Sequence, residues 1–357
     1  MRSLLSFTAL NGFLVTPTEN ANDNYTTPND LVKKIGHQYL LTLYKPFRGT
    51  MSDMNENLTI TRSGFVAVMG RPNVGKSTLI NALLGQKVAA VTPRPQTTRK
   101  RQMGILTLDE PGRMAQIVFV DTPGLHRPRH KLGELMNQEA VQTLEESDVV
   151  LFVVDASQPP NEEDHLLFEL LAALKRPATV VLALNKLDAI SVESFETHGA
   201  AFRQGVPSAF AIPISATRGD HLPDLLNAIL ERLPEGTPFF PEDQLTDLYE
   251  REIAADLIRE AALILLRDEV PHGIAVRIDQ YTERGEDGVY IEATLFVERE
   301  THKPIIIGKE GQMLKKIGIA ARQEIEKMSG RKVYLQLKVK VRKNWRDDEK
   351  TLKSFGY

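Results

Sequence analysis

The 357-residue sequence predicts an α/β domain with a mostly parallel sheet and helices on both faces, followed by a smaller α+β unit. Three observations predict it. From Gly64 to about Leu233, short β-branched runs alternate with amphipathic stretches, the pattern of strands buried on both faces by crossover helices. The stretch LPEGTPFFPEDQ, Leu233 to Gln244, packs three prolines and reads as a linker. Beyond it the pattern becomes one α-β-β-α-β unit without repeats, strongly basic from Lys303 onward. The expected divisions are an N-terminal extension over 1–61, the α/β domain over 62–233, a linker over 234–246, the second unit over 247–343 and a tail over 344–357.

Residues up to about Thr61 show no sustained period, and TPTENANDNYTTPND is polar and disorder-like in composition. MRSLLSFTALNGFLV has one Arg and an apolar run broken by Ser, Thr, Asn and Gly, with no small-residue cleavage box. This reads as a dispensable extension, with Met51 or Met54 as candidate starts. From Gly64 the elements follow in order. GFVAVMG is a strand ending in a glycine-rich turn, and a helix runs from Lys76 to about Leu84. IVFV ends at Asp121, DVVLFVVD at Asp155, TVVLALN at Asn185 and AFAIPIS at Ser215, with a closing helix near Leu222 to Leu233. In such sheets ligands bind beyond the carboxyl ends of the strands, where these polar residues fall. The second unit opens with a helix from about Asp247 to Arg267, continues with strands near Ile274 to Tyr281 and Val289 to Glu298, and ends in the strand KVYLQLKVKVRK.

Composition narrows the classes. With 42% hydrophobic and 25% charged residues the chain is of ordinary globular make-up, and the absence of cysteine excludes disulfides, thiolate metal sites and a cysteine nucleophile. No apolar stretch approaches the roughly 18 to 20 residues of a spanning helix. His126 and His130 have i,i+4 spacing, but they sit in a Pro/Arg-rich turn with no further ligand nearby and read as solvated loop histidines. The net charge of −3 conceals an asymmetry. Lys303 to Lys343 carries twelve Lys/Arg against three Glu, or +9, which leaves −12 for the rest by subtraction. A local polyanion site follows.

GRPNVGKST, Gly70 to Thr78, fits G-x-x-x-x-G-K-[ST] between a strand and a helix. Gly70 and Gly75 let the backbone N–H groups of Arg71, Pro72's neighbours Asn73 and Val74, and the residues up to Thr78 curl around phosphates; Lys76 reaches the outer phosphate oxygens, and the Ser77 hydroxyl is a magnesium ligand. NKLD, Asn185 to Asp188, supplies a carboxylate on Asp188 that can accept from guanine N1–H and its exocyclic amine. Adenine offers neither donor on that edge. Asn185 braces the loop, Lys186 lies along the base, and Ser215 and Ala216 form the last base-contacting turn. Between these motifs, DTPGL places Asp121 for magnesium through water, Thr122 and Pro123 in the turn, and the Gly124 N–H toward the γ-phosphate. In PRPQTTRKRQ, Pro93 to Gln102, Thr98 is the choice for the second magnesium hydroxyl and Thr97 the alternative. The order of these motifs indicates GTP rather than ATP. An ATPase or small-molecule kinase would lack N-K-x-D.

Leu125 raises a question, because a leucine cannot orient water by hydrogen bonding. The alternatives are hydrolysis without that side chain or a nucleotide-gated RNA-binding scaffold with little useful turnover. In the second unit, GKEG (Gly308, Lys309, Glu310, Gly311) precedes a helix whose Leu314, Ile317, Ala321, Ile325 and Met328 form a core stripe. Its glycines allow a nucleic-acid backbone to approach, and Lys309, Lys315 and Lys316 supply charge. The last strand alternates Val333, Leu335, Leu337, Val339 and Val341 with Tyr334, Gln336, Lys338, Lys340 and Arg342, so Lys338 and Lys340 are either further RNA contacts or a solvated face. Trp345 and the tail RKNWRDDEK are open to stacking on RNA or to another role.

These stretches, with GRPNVGKSTLINALLGQKVA, PQTTR, DTPGLH, NKLD and ISA in order and then KPIIIGKEGQMLKKIG and VKVRKNWRDDE, resemble the translation-factor-related GTPases that carry a hydrophobic residue in place of the catalytic glutamine, and among them the Era family. The resemblance covers roughly Arg62 to the C-terminus. It implies a P-loop GTPase domain followed by a type II KH domain, slow hydrolysis of GTP to GDP and phosphate, and catalytic roles for Asn73, Lys76, Thr98, Asp121 and Gly124. Magnesium is held by Ser77, Thr98 and Asp121. A potassium ion bound with help from Asn73 is also implied, a loop-stabilising asparagine being the other reading. The implied partners are the 3′ end of 16S ribosomal RNA and the 30S subunit, whose assembly the family assists. A monomer without DNA partners, cytoplasmic and able to attach peripherally to the inner membrane, completes the expectation.

Overall fold

The computed structural model describes residues 60–87, 89–91, 99, 101–110, 113–124, 130–175, 178–248, 250–267, 270–285 and 288–357. The N-terminal extension, Thr97, Thr98, Leu125 and His126 lie outside them. The described residues belong to one unit, Asn57–Tyr357.

The first sheet has six strands: β1 (Ile60–Met69), β2 (Gln102–Glu110), β3 (Arg113–Asp121), β4 (Val149–Asp155), β5 (Thr179–Asn185) and β6 (Phe210–Pro213). Their order is β2-β3-β1-β4-β5-β6, with β2 antiparallel to β3 and every other pairing parallel. Side chains alternate across it. Val66, Val68, Leu151 and Val153 face α1 (Lys76–Leu84) and α5 (Leu222–Leu230). Ala67, Met69, Phe152 and Val154 face α2 (Lys131–Glu146), α3 (Glu162–Ala172) and α4 (Val192–Gly205). Strands buried on both faces read as continuous apolar runs because each pleat has a helix above or below it. The antiparallel edge β2 was not legible: QMGILTLDE has no clean alternation, and pairing with β3 along its whole length decides it.

The second unit contains α6 (Glu250–Leu265), β7 (Ala275–Glu283), β8 (Val289–Val297), α7 (His302–Ile307), α8 (Gln312–Ser329) and β9 (Val333–Val341). β7 and β8 are antiparallel, with a register shift between Ile278 and Gln280, while β9 runs parallel to β8. The α-β-β-α-β expectation missed α7, a single short turn of helix ahead of the GKEG loop. Helices α6 and α8 cover one sheet face, through Leu257, Ile258, Ile317, Ala321 and Ile325 against Ile291, Ala293 and Leu295.

Residues 234–246 are stitched to the first sheet rather than free. Gly236 N donates to Thr61 O at 3.1 Å and Ile105 N to Leu245 O at 2.8 Å. The fully buried Gln116 side chain accepts from Phe239 N and Phe240 N at 2.8 and 2.9 Å and donates to Phe240 O and Thr107 Oγ1 at 2.9 and 3.0 Å. All four hydrogen-bonding capacities of the amide are met. The tail also takes a structural course. Trp345 is fully buried, donates from Nε1 to Gly273 O at 2.9 Å, and packs with Leu132 and Met136 of α2 and with Phe296, Leu352 and Phe355. Stacking of Trp345 on RNA is thereby excluded: the indole has no exposed face.

Gln116→Ala is expected to strand two backbone donors and lower the unfolding free energy by about 2–3 kcal/mol, read as a lower urea midpoint at unchanged slope.

Candidate nucleotide site and nucleic-acid groove

The turn after β1 is left-handed at three places: Gly70 (φ 149°), Asn73 (φ 65°) and Gly75 (φ 104°). Gly75 is required twice over, since a Cβ there would lie 2.4 Å from Asn185 Nδ2. The turn wraps Lys76, whose ammonium donates to Gly70 O at 2.9 Å and Arg71 O at 3.1 Å. Burial pushes that ammonium down to about 8, with the Asp121 carboxylate pulling the other way. Ser77 Oγ donates to Asp121 Oδ2 at 2.9 Å, so the two magnesium-ligand candidates from α1 and β3 are in contact. A hydroxyl beside a buried carboxylate, in a left-handed turn that wraps one ammonium, fits a magnesium–polyphosphate ligand. Thr122 Oγ1 donates to Val68 O at 2.8 Å, anchoring the D-T-P-G turn to β1, and a Cβ on Gly124 would press on Pro72 at 3.1 Å.

The side chain of Arg71 turns away from this cradle. It pairs at 3.3 Å with Asp164, which is buried in the capping box at the start of α3, so Arg71 can serve phosphates only through its backbone. Asn73, by contrast, is exposed, and asparagine tolerates the left-handed region better than most residues.

The base-side loops converge on one amide. Asn185 Nδ2 donates to Val74 O at 2.8 Å, and its Oδ1 accepts from Ala216 N at 3.0 Å, tying the P-loop to the S-A turn. Asp188 Oδ1 accepts from the fully buried Ser215 Oγ at 2.6 Å, which orients the carboxylate. Lys186 (φ 69°) donates to Asp155 Oδ2 at 2.6 Å. Burial alone would raise the Asp155 carboxyl; the bonds from Lys186 and Ser157 outweigh it and hold that group below its ordinary value. Sequence reasoning gave Asp155 no role, although its place at the end of β4 was the available signal.

In the second unit the 308–311 loop has positive φ at Gly308 (72°), Glu310 (52°) and Gly311 (76°), with Lys309 and Glu310 exposed; of these Glu310 alone carries a side chain in that region. Beside it an open groove of about 950 Å³ runs between α8 and β9, lined by Leu314, Lys315, Gly318, Ile319, Arg322 and Leu337 among others. Arg322 was missed. Its spacing of seven from Lys315 places both on one helix face, which was the usable signal. Lys316 is exposed but is not part of the lining. The structure separates Lys338 and Lys340 from the loop: Leu335 and Leu337 turn into the groove, so the pleat sends both lysines to the opposite sheet face, where Lys338 pairs with Glu292.

Comparison with known proteins agrees with these two sites. Residues 65–186 match the family described as 50S ribosome-binding GTPase, and residues 269–346 match the KH domain. GTPase Era of Halothermothrix orenii is 47% identical over 298 residues, covering 83% of this chain and 98% of the relative. GTPase Era of Geobacter metallireducens is 48% identical over 297 residues, covering 83% and 98%. The crystal structure of Era in complex with MgGDPNP and nucleotides 1506–1542 of 16S ribosomal RNA superposes with a TM-score of 0.78 at 42% identity, covering 83% of this chain and 99% of that one. With the guanine-nucleotide loops converging on Asn185 in the first unit and a KH-domain groove in the second, the chain belongs to the Era family of GTPases.

Proposed function

We propose that this GTPase binds the 3′ end of 16S ribosomal RNA in the α8–β9 groove and assists assembly of the 30S subunit, with nucleotide state governing when RNA is held. The observation that carries the reading is the pairing, in one chain, of the guanine-nucleotide loops with a groove of apolar floor and basic rim, in a family whose solved member holds MgGDPNP and 16S nucleotides. Apolar residues suit unstacked bases, while Lys309, Lys315 and Arg322 suit the backbone. Crosslinking RNA to the protein in cells and sequencing it tests this; enrichment of RNA other than the 16S 3′ end would overturn it.

At the nucleotide, Lys76 and the N–H groups of residues 73–78 neutralise and orient phosphate, the Gly124 N–H senses the γ-phosphate, and Asp188 reads guanine. Ser77, Asp121 and Thr98 would hold magnesium, which supplies further charge neutralisation at the phosphate oxygens. We assign Asn73 to a potassium site, supported by its exposed left-handed place on the loop. Water is then placed by backbone, cation and switch loops, without the Leu125 side chain. No helix among the described residues is long and apolar enough to cross a membrane. We infer a cytoplasmic protein whose contact with the inner membrane is peripheral and electrostatic, through the basic segment from Lys303 to Lys343.

GTP hydrolysis should be several-fold faster in potassium than in sodium, and Asn73→Ala should erase the difference; equal rates for the parent protein refute the assignment. Bound phosphate stabilises the Lys76 ammonium, so its pKa rises on binding, and between about pH 8 and that higher value binding takes up a proton. GDP affinity, measured by fluorescence titration, should be flat below about pH 7 and fall by up to about tenfold per unit above pH 8, with Lys76→Ala weak and flat throughout. The double variant Lys309→Asp/Glu310→Asp should weaken RNA binding about tenfold and leave GTP affinity unchanged.

A further inference from the structure

Lys338 and Lys340 stand outside the groove, yet the face they share is built unlike an idle solvated surface. The register of the second sheet sets Tyr290 directly opposite Tyr334, Glu292 opposite Gln336, Thr294 opposite Lys338 and Phe296 opposite Lys340. From Tyr334 to Lys340 this face extends about 20 Å at the usual rise per residue. Its Phe296 end is closed by Trp345, Phe355 and Leu132. The rest of the face presents exposed Tyr334, Gln336, Lys338 and Lys340 on β9 and Arg277 on β7, over a fully buried Thr294.

We propose that this open face of β7–β8–β9 is a second nucleic-acid surface, taking single-stranded RNA that leaves the groove and crosses the edge strand β9. The proposal rests on the RNA reading of the groove and extends the bound length beyond it. Continuity carries it first: Tyr334 belongs to this face, is 70% exposed, and also borders the groove, so one ring marks the lip between the two surfaces. An exposed aromatic ring at that lip offers a base a stacking partner. Behind it Tyr290 is held in place, its hydroxyl donating to Gln336 Oε1 at 2.8 Å and its ring covered by the Arg284 guanidinium at 5.1 Å.

The charge layering supports the same occupant. The face carries Arg277, Arg284, Lys338 and Lys340 against Asp279 and Glu292. Both carboxylates are sunk and engaged: Asp279 accepts from Thr294 Oγ1 and Arg277, and Glu292 from Lys338. Their side chains are 22% and 21% exposed, whereas Arg277 and Lys338 are 43% and 46% exposed. Four cations against two carboxylates leave this face at +2, with Arg277 and Lys338 matched by the carboxylates and Arg284 and Lys340 in excess, and such an excess releases counterions when a phosphate backbone lies on it.

The test uses the full chain, fluorescence anisotropy and two nested single-stranded fragments of 16S nucleotides 1506–1542, one of about four nucleotides, the length a KH groove clamps, and one of about twelve. Arg284→Glu/Lys340→Glu alters the sheet face alone, and Lys309→Asp alters the groove loop. The face variant is expected to bind the longer RNA roughly tenfold more weakly, with a salt dependence shallower by about 1.4 in log–log slope, and to bind the shorter RNA as the parent does. Lys309→Asp should weaken both. Parent-like binding of the longer RNA by the face variant, or equal losses at both lengths, overturns the proposal while leaving the groove reading intact. A loss seen only with whole subunits and not with naked RNA assigns the face to a protein and likewise overturns it. If the parent binds neither fragment, the RNA reading falls and this surface with it.

Discussion

One buried amide holds the nucleotide site together. Asn185, at the end of β5, donates to the P-loop at Val74 O and accepts from Ala216 N after β6, so loops more than a hundred residues apart in sequence are fixed by two bonds from one side chain. Gly75 must lack a side chain for that amide to reach it, and the Ser215 hydroxyl, next to Ala216, then holds the Asp188 carboxylate in place for the base. Phosphate geometry and base selectivity are therefore not independent. Both depend on the register of β1, β4, β5 and β6, which sets the loops side by side at one edge of the sheet.

The same economy governs the boundary between the two halves. Lys87, just past α1, pairs at 2.8 Å with both Glu260 of α6 and Glu324 of α8, and Glu260 also accepts from Val91 N. Burial raises the Glu260 carboxyl, and Lys87 opposes that shift. Arg99 is buried and donates to Ile274 O at 2.8 Å, so the residues flanking the Thr97–Thr98 segment on either side both end on the second unit. Elsewhere, Asp347 of the tail accepts from Lys131 N at 3.1 Å at the start of α2, the helix that follows the D-T-P-G turn. Residues on both sides of the Thr97–Thr98 segment, and the start of α2, are thus tied by side-chain contacts to the second unit and the tail.

The groove itself illustrates how a small sheet serves two purposes. Its core face needs α6 and α8 to cover Ile291, Ala293 and Leu295, yet β9 remains an edge, and the groove lies between it and α8, with Gly318 in its lining. The opposite face is divided between the tail, which covers Phe296, and open polar residues around Tyr290 and Tyr334. An apolar end and a polar end on one face follow from the strand sequence, and the tail consumes only the apolar part.

The sequence by itself determined the strands that end at Asp121, Asp155 and Asn185, the P-loop helix, the guanine-reading motif and the α8 core stripe, because each is a local pattern: an apolar run of strand length, a glycine spacing, or a helical period. It also determined the alternation of β9, though not what lies over each face. Only the tertiary structure decided the rest. β2 exists because β3 offers it a partner, not because its own residues alternate. Arg71 faces Asp164, Asp155 holds Lys186, Trp345 is core, and Lys338 and Lys340 are parted from the GKEG loop, each through contacts between residues distant in sequence. A chain's local pattern fixes which way a side chain leaves its own element. What it meets there depends on elements tens to hundreds of residues away.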